Sequence, residues 1–203
     1  MNRSLMLRPA KLLGPAAAAL SLVVLGAGPA AAAPSLAQRA GSEVQWSALP
    51  ATSNEVFVVE YLNEVSIFDE AGIVPGFGCR TSGTNQVNCG PFATATRLRM
   101  SAGDGNDSVT LGLFVPLPLA AVIDGGSGQD RLRGGTRGDQ LSDPNGWPTP
   151  QSENTFVGNG GNDTIFSRNR GYDRIDCGAG FDTVIADSAT RDVVANCENV
   201  IRF

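Results

Sequence analysis

From residue 104 onward one aspartate recurs in a fixed register, each time with an apolar side chain two residues later. The segments AGDGNDSVTL, GGSGQDRLR, GGTRGDQLS, GNGGNDTIF, RNRGYDRID and CGAGFDTVI align on Asp107, Asp130, Asp139, Asp163, Asp173 and Asp182. A seventh, DSATRDVVA, keeps Asp192 but has lost every glycine. The successive Asp spacings are 23, 9, 24, 10, 9 and 10, a period of nine or ten with two insertions. One insertion carries Pro116 and Pro118. The other, over residues 142–157, carries Pro144, Trp147, Pro148 and Pro150 and reads as an excursion loop.

Each unit has the form G-G-x-G-x-D-x-U-x, where the apolar U is Val109, Leu132, Leu141, Ile165, Ile175, Val184 or Val194. The glycine half turns tightly, because glycine meets no steric penalty at positive φ. The D-x-U-x half is a short strand with one side chain pointing inward. Burying that side chain contributes about 1.5–3 kcal/mol, whereas ordering a residue's backbone costs about 1 kcal/mol or more, nine times over. An isolated unit therefore cannot hold, and the units must stack. Two half-turns make one coil of about eighteen residues, so Asp163 and Asp182 fall on one edge and Asp173 and Asp192 on the opposite edge, each pair nineteen apart. Carboxylates stacked at the ~4.8 Å strand spacing repel unless a cation lies between them. The turns also present backbone carbonyls, and Ca²⁺ takes six to eight oxygens of these two kinds.

The rest of the chain differs in composition. Residues 34–103 hold five Glu and one Asp, whereas residues 104–203 hold twelve Asp, two Glu and 15 of the 25 Gly, which sets a boundary near Ser101. In the first part Val56, Val58, Val65 and Ile67 alternate about a turn near Asn63, and Leu98 and Met100 repeat the pattern, as strands do. Residues 1–33 read as a cleaved secretory signal: Arg3, Arg8 and Lys11 precede an apolar run, and Ala30 to Ala33 supply small residues for cleavage. The organisation expected is thus a signal at 1–33, a β-rich segment at 34–101 and a repeat region at 102–203. Cleavage removes three of the 15 bases and none of the 20 acids, leaving a charge of −8. That charge disfavours nucleic acid as a partner, and no membrane span remains. There is no histidine, so Ser-His-Asp and Cys-His catalysis and His-ligated zinc are excluded. In an exported chain the even cysteine count implies disulfides, and Cys79 with Cys89 could close a small loop.

GDGND, GGSGQD and GNGGND closely resemble the repeats-in-toxin (RTX) nonapeptide, the haemolysin-type calcium-binding repeat. The resemblance covers about half the chain. It implies an all-β fold: a right-handed parallel β-roll or β-solenoid in the C-terminal half beside a β-rich N-terminal half, with Ca²⁺ held between neighbouring turns. Carried over residue by residue, it implies Asp107, Asp130, Asp139, Asp163, Asp173 and Asp182 as metal ligands. Gly103, Gly125, Gly126, Gly128, Gly158, Gly160, Gly178 and Gly180 would shape the turns. Arg137, Arg168, Asn169 and Cys177 replace glycines of the pattern, so their turns are expected to bind Ca²⁺ poorly or not at all. In such a roll, residues about twenty apart stack near the 5.5–6 Å Cα separation that disulfides favour. Cys177 to Cys197 would then staple the glycine-free last turn onto its neighbour. With its signal and its CENV tail, the layout looks like the small secreted calcium-binding proteins of actinobacteria.

The function expected is therefore a secreted, non-enzymatic Ca²⁺-binding protein. Two alternatives are a polysaccharide-active β-helical lyase or glycosidase, and a cell-surface adhesion module with purely structural Ca²⁺. Arg131, Arg133, Arg137, Arg168, Arg170 and Arg174 beside the repeats read first as offsets to Asp repulsion. Their second reading is as contacts to an extracellular acidic polysaccharide.

Overall fold

A computed structural model describes residues 35–50, 52–112, 117–143 and 153–203. The signal expected at 1–33 lies outside the described residues, as does much of the loop expected over 142–157. The described chain is nearly all β. Its early strands are β1 (Ser35–Ala40), β2 (Glu43–Ser47), β3 (Glu55–Tyr61), β4 (Glu64–Asp69), β5 (Ile73–Pro75), β6 (Arg80–Gly83), β7 (Gln86–Pro91) and β8 (Arg97–Ser101). Short strands follow: β9 (Ser108–Leu111), β10 (Ala120–Asp124), β11 (Arg131–Arg133), β12 (Gln140–Ser142) and β13 (Thr155–Val157). The last are β14 (Thr164–Phe166), β15 (Arg174–Asp176), β16 (Thr183–Ala186), β17 (Val193–Ala195) and β18 (Asn199–Arg202). Among the described residues no helix is long and apolar enough to cross a membrane.

These strands form two nine-stranded sheets. The first runs β18-β16-β14-β12-β10-β8-β2-β1-β5 and the second β17-β15-β13-β11-β9-β3-β4-β7-β6. From β8 on, successive strands go alternately to the two sheets, and from β10 on each pairs in parallel with the strand two before it. The early strands enter the same sheets by antiparallel hairpins. In the β3–β4 hairpin Leu62 and Asn63 both have positive φ, the two-residue turn whose twist matches that of the strands. Parallel pairs β2–β8 and β3–β9 then join this part to the repeats. One apolar core accordingly runs through both parts.

The core is a set of register-matched ladders. In the first sheet Trp46, Met100, Ile123, Leu141, Ile165 and Val184 lie side by side on successive strands. Val56, Val109, Leu132, Phe156 and Ile175 do so in the second. All are essentially inaccessible to water. At the end of the stack Val194 is half-buried and Val200 exposed, because no further strand covers them.

Two stretches read as insertions contain half-turns of the repeat. β10 carries Ile123 into the first ladder without an Asp two residues earlier. Within 142–157, Ser142 ends β12, and β13 puts Phe156 into the second ladder, with Asn154 in the Asp position. Residues 153–157 are therefore repeat rather than loop. Two disulfides are present. Cys79–Cys89 ties the loop before β6 to β7, and Cys177–Cys197, with Cα atoms 5.2 Å apart, ties the last turn to the one before.

Candidate functional site

The aspartates of the repeat form two buried ladders, one along each edge of the stacked turns. On one edge the backbone N–H of Asn54 donates to Asp107 Oδ1 at 2.7 Å, and that of Asp107 to Asp130 Oδ1 at 2.9 Å. Asp130 donates to Asn154 Oδ1, Asn154 to Asp173 and Asp173 to Asp192, at 2.8, 3.0 and 3.2 Å. On the other edge Ala121 donates to Asp139, Asp139 to Asp163 and Asp163 to Asp182, all at 2.7 Å, and Asp182 to Glu198 Oε2 at 2.8 Å. Every residue of both ladders except Ala121 and Glu198 is an Asp or Asn, and the Asp side chains are at most 3% exposed. The spacing of nineteen brings Asp163 beside Asp182 and Asp173 beside Asp192. Their carboxylates do not face one another, however, because each rests one oxygen on its neighbour's amide.

The second oxygen separates the sites. Oδ2 of Asp107, Asp130, Asp163, Asp173 and Asp182 is buried and accepts no hydrogen bond among the described residues. Asp139 Oδ2 instead accepts the Gly135 N–H at 2.6 Å. Asp192 Oδ2 accepts the Asp187 N–H at 2.7 Å and the Ser167 hydroxyl at 3.2 Å. A buried carboxylate oxygen without a partner is costly, since nothing replaces the water it has lost.

Four of the five open oxygens belong to turns with one backbone conformation. Positive φ occurs four and two residues before the Asp: Gly103 and Gly105, Gly126 and Gly128, Asn159 and Gly161, Gly178 and Gly180. These turns stack in two pairs. Gly105 N–H donates to Ser127 O and Ser127 N–H to Gly103 O, at 3.0 and 2.8 Å. On the opposite edge Gly161 N–H donates to Ala179 O and Ala179 N–H to Asn159 O, again at 3.0 and 2.8 Å. The side chains of Asn106 and Asn162 accept the N–H of Gln129 and Phe181 in matching fashion. Two equivalent niches result, one between turns 102–107 and 125–130 and one between turns 158–163 and 177–182.

Glycine leaves room for oxygen here. A Cβ on Gly158 would sit 2.2 Å from both Asp163 Oδ2 and the Cys177 carbonyl oxygen, and one on Gly125 would sit 2.5 Å from Asp130 Oδ2. Gly103, Gly126, Gly128, Gly178 and Gly180 all hold the positive φ the turn needs. Gly160 does not: it aligns with Ser127 and Ala179, and its neighbour Gly161 is the left-handed residue. Counting back two from each Asp finds Gly105, Gly128, Gly161 and Gly180 directly, a signal present in the sequence. Asn154 was equally accessible, lying nineteen residues before Asp173. The turns carrying Arg137 and Arg168–Asn169 take other backbone paths, and in the first of them Asp139 is closed by its own turn.

Burial dominates the acidity of the ladders. It raises Asp107, Asp139 and Asp173 to about 7, and Asp130 and Asp163 to about 6, against the partial relief of the amide donor. The next carboxylate along the ladder raises Asp107, Asp139, Asp163 and Asp173 further. Among the described residues no three Asp, Glu or Cys side chains converge as a metal cluster. A cation in these niches would thus take one carboxylate oxygen from a turn and most of its other donors from backbone carbonyls. Such a donor set suits a hard ion and not a thiolate-seeking one.

No family model matches the chain, and no curated protein or solved structure matches it.

Proposed function

We propose that this protein is a secreted, non-enzymatic Ca²⁺-binding β-roll, with Ca²⁺ held in the two inter-turn niches. The observation that carries the reading is the coincidence of open oxygens with turn conformation. All four turns of the repeated conformation leave a buried Asp oxygen without a partner; outside it Asp139 and Asp192 satisfy both of theirs, and Asp173 leaves one open. Asp107 and Asp130 would serve one niche, and Asp163 and Asp182 the other. Alternation of parallel strands between two sheets supports the roll, and the near-universal right-handedness of parallel crossovers supports its hand. Two disulfides support export to an oxidising compartment. Affinity is expected in the extracellular range, about 10⁻⁴–10⁻³ M.

Calorimetric titration of the purified protein with CaCl₂ tests the assignment. Two ions per chain are expected, falling to one for Asp130→Asn or Asp182→Asn and remaining two for Asp139→Asn. Loss of a site in Asp139→Asn, with both retained in the other two variants, would overturn it.

A further inference from the structure

The outer face of the second sheet carries arginines that the Ca²⁺ reading leaves unused. Side chains alternate along each strand, so the residues flanking the buried ladder point away from the core. In one register Phe68, Phe57, Thr110 and Arg133 follow one another across β4, β3, β9 and β11. In the neighbouring register Ser108, Arg131, Thr155 and Arg174 follow across β9, β11, β13 and β15. The three arginines are exposed, and Phe57, Phe68, Thr110 and Thr155 are half-buried.

Among the described residues no carboxylate lies within ion-pair distance of Arg131, Arg133 or Arg174, whereas Arg80 pairs with Glu64 and Arg99 with Glu43. Arg133 does donate to Asn159 Oδ1 at 3.4 Å, and three of the other repeat-region arginines are engaged elsewhere. Arg168 stacks on Phe203, Arg191 lies over Tyr172 and Arg202 bonds the Asp187 carbonyl. The acids around the face are Glu55, Glu70, Glu153 and Asp176: Glu153 borders one cavity with Arg131 and Ser108, Glu70 borders the Phe57–Phe68 pair, and Asp176 accepts from Asn196. Offsetting the buried aspartates therefore does not account for these three.

We propose that this face binds a linear acidic polysaccharide. Arg131 and Arg174 stand two strand steps apart, about 9.6 Å, and Phe68 to Arg174 spans five steps, about 24 Å. That gives a flat track long enough for several sugars. Guanidinium forks match carboxylates on the sugar rings. The threonine and serine hydroxyls bond ring hydroxyls, and the Phe57–Phe68 pair offers an apolar surface to the C–H face of a pyranose. The aromatic pair favours a sugar over a phosphate polymer. None of this requires a cation in the turns.

Binding of an oligogalacturonate is measured by calorimetry at low ionic strength in Ca²⁺ buffer. An uncharged cello-oligosaccharide and an oligothymidylate of equal charge serve as comparators. The oligogalacturonate is expected to bind, and salt to weaken it. Arg131→Gln/Arg133→Gln/Arg174→Gln should weaken it by roughly tenfold or more, with unchanged circular dichroism, since all three side chains are exposed. Phe57→Ser should weaken oligogalacturonate but not inorganic polyphosphate. Absence of oligogalacturonate binding, equal binding by the triple variant, or equally tight binding of oligothymidylate would each overturn the proposal. A defect in Ca²⁺ stoichiometry leaves these outcomes unaffected, so the two assignments fail separately.

Discussion

At Asp163 one carboxylate oxygen rests on the amide of Asp139 and the other faces the α-carbon of Gly158 with no donor. The Asp register was legible in the sequence because every repeat of the set restates it. The amide ladder was not, since its donor lies 24 residues away and only stacking brings it in. Glycine roles follow from the same local detail. A Cβ on Gly161 would lie 2.3 Å from the Arg137 carbonyl carbon at a φ of +108°, whereas one on Gly160 meets nothing closer than 3.8 Å. Gly161→Ala should lose about 1–3 kcal/mol or more in urea unfolding and Gly160→Ala about 0.5 or less. Equal losses would contradict the turn assignment. Acidity belongs to this scale too. Folded-state values near 6 and 7 lie above the ordinary Asp value, so between pH 4 and 7 the folded chain holds more protons than the unfolded one. Without metal, stability should therefore be greatest near pH 4 and fall as pH rises through 6 and 7. Saturating Ca²⁺, which needs the ionised form, should reverse that slope in thermal melts run from pH 8 to 5.

Among the elements, the hairpins and repeat strands were readable from alternation and from the Asp-x-U spacing. Two half-turns were not. β10 lacks the Asp, and the prolines and Trp147 upstream of β13 read as loop although Asn154 and Phe156 keep the spacing. What identifies both strands is their ladder partners: Ile123 lies between Met100 and Leu141, and Phe156 between Leu132 and Ile175. Phe156 is wholly buried. Phe156→Ala should cost about 3–5 kcal/mol in chemical denaturation, the range for an aromatic removed from a packed core. A loss below about 1 kcal/mol, typical of surface substitutions, would mean that β13 is not part of the ladder. The last turn lacks glycine and leaves its core positions partly open, so Cys177–Cys197 substitutes a covalent tie for the missing layer.

Across the whole molecule the composition boundary near Ser101 does not divide the core. β2 and β3 pair directly with β8 and β9, so the hairpin part and the repeat part complete the same two sheets. Composition marks where carboxylates and glycines line the turns, not where packing stops. The repeat part carries buried carboxylates that burial alone disfavours, and a bound cation would convert that cost into cohesion between turns. Folding and Ca²⁺ should consequently be linked, with stability rising as the ion saturates its sites. The most direct test is far-UV circular dichroism and thermal unfolding of the purified protein in CaCl₂, in MgCl₂ and in EDTA. The expected result is a gain of β signal, or a higher Tm, in Ca²⁺ that Mg²⁺ does not reproduce. Superimposable spectra and melts in all three would contradict it.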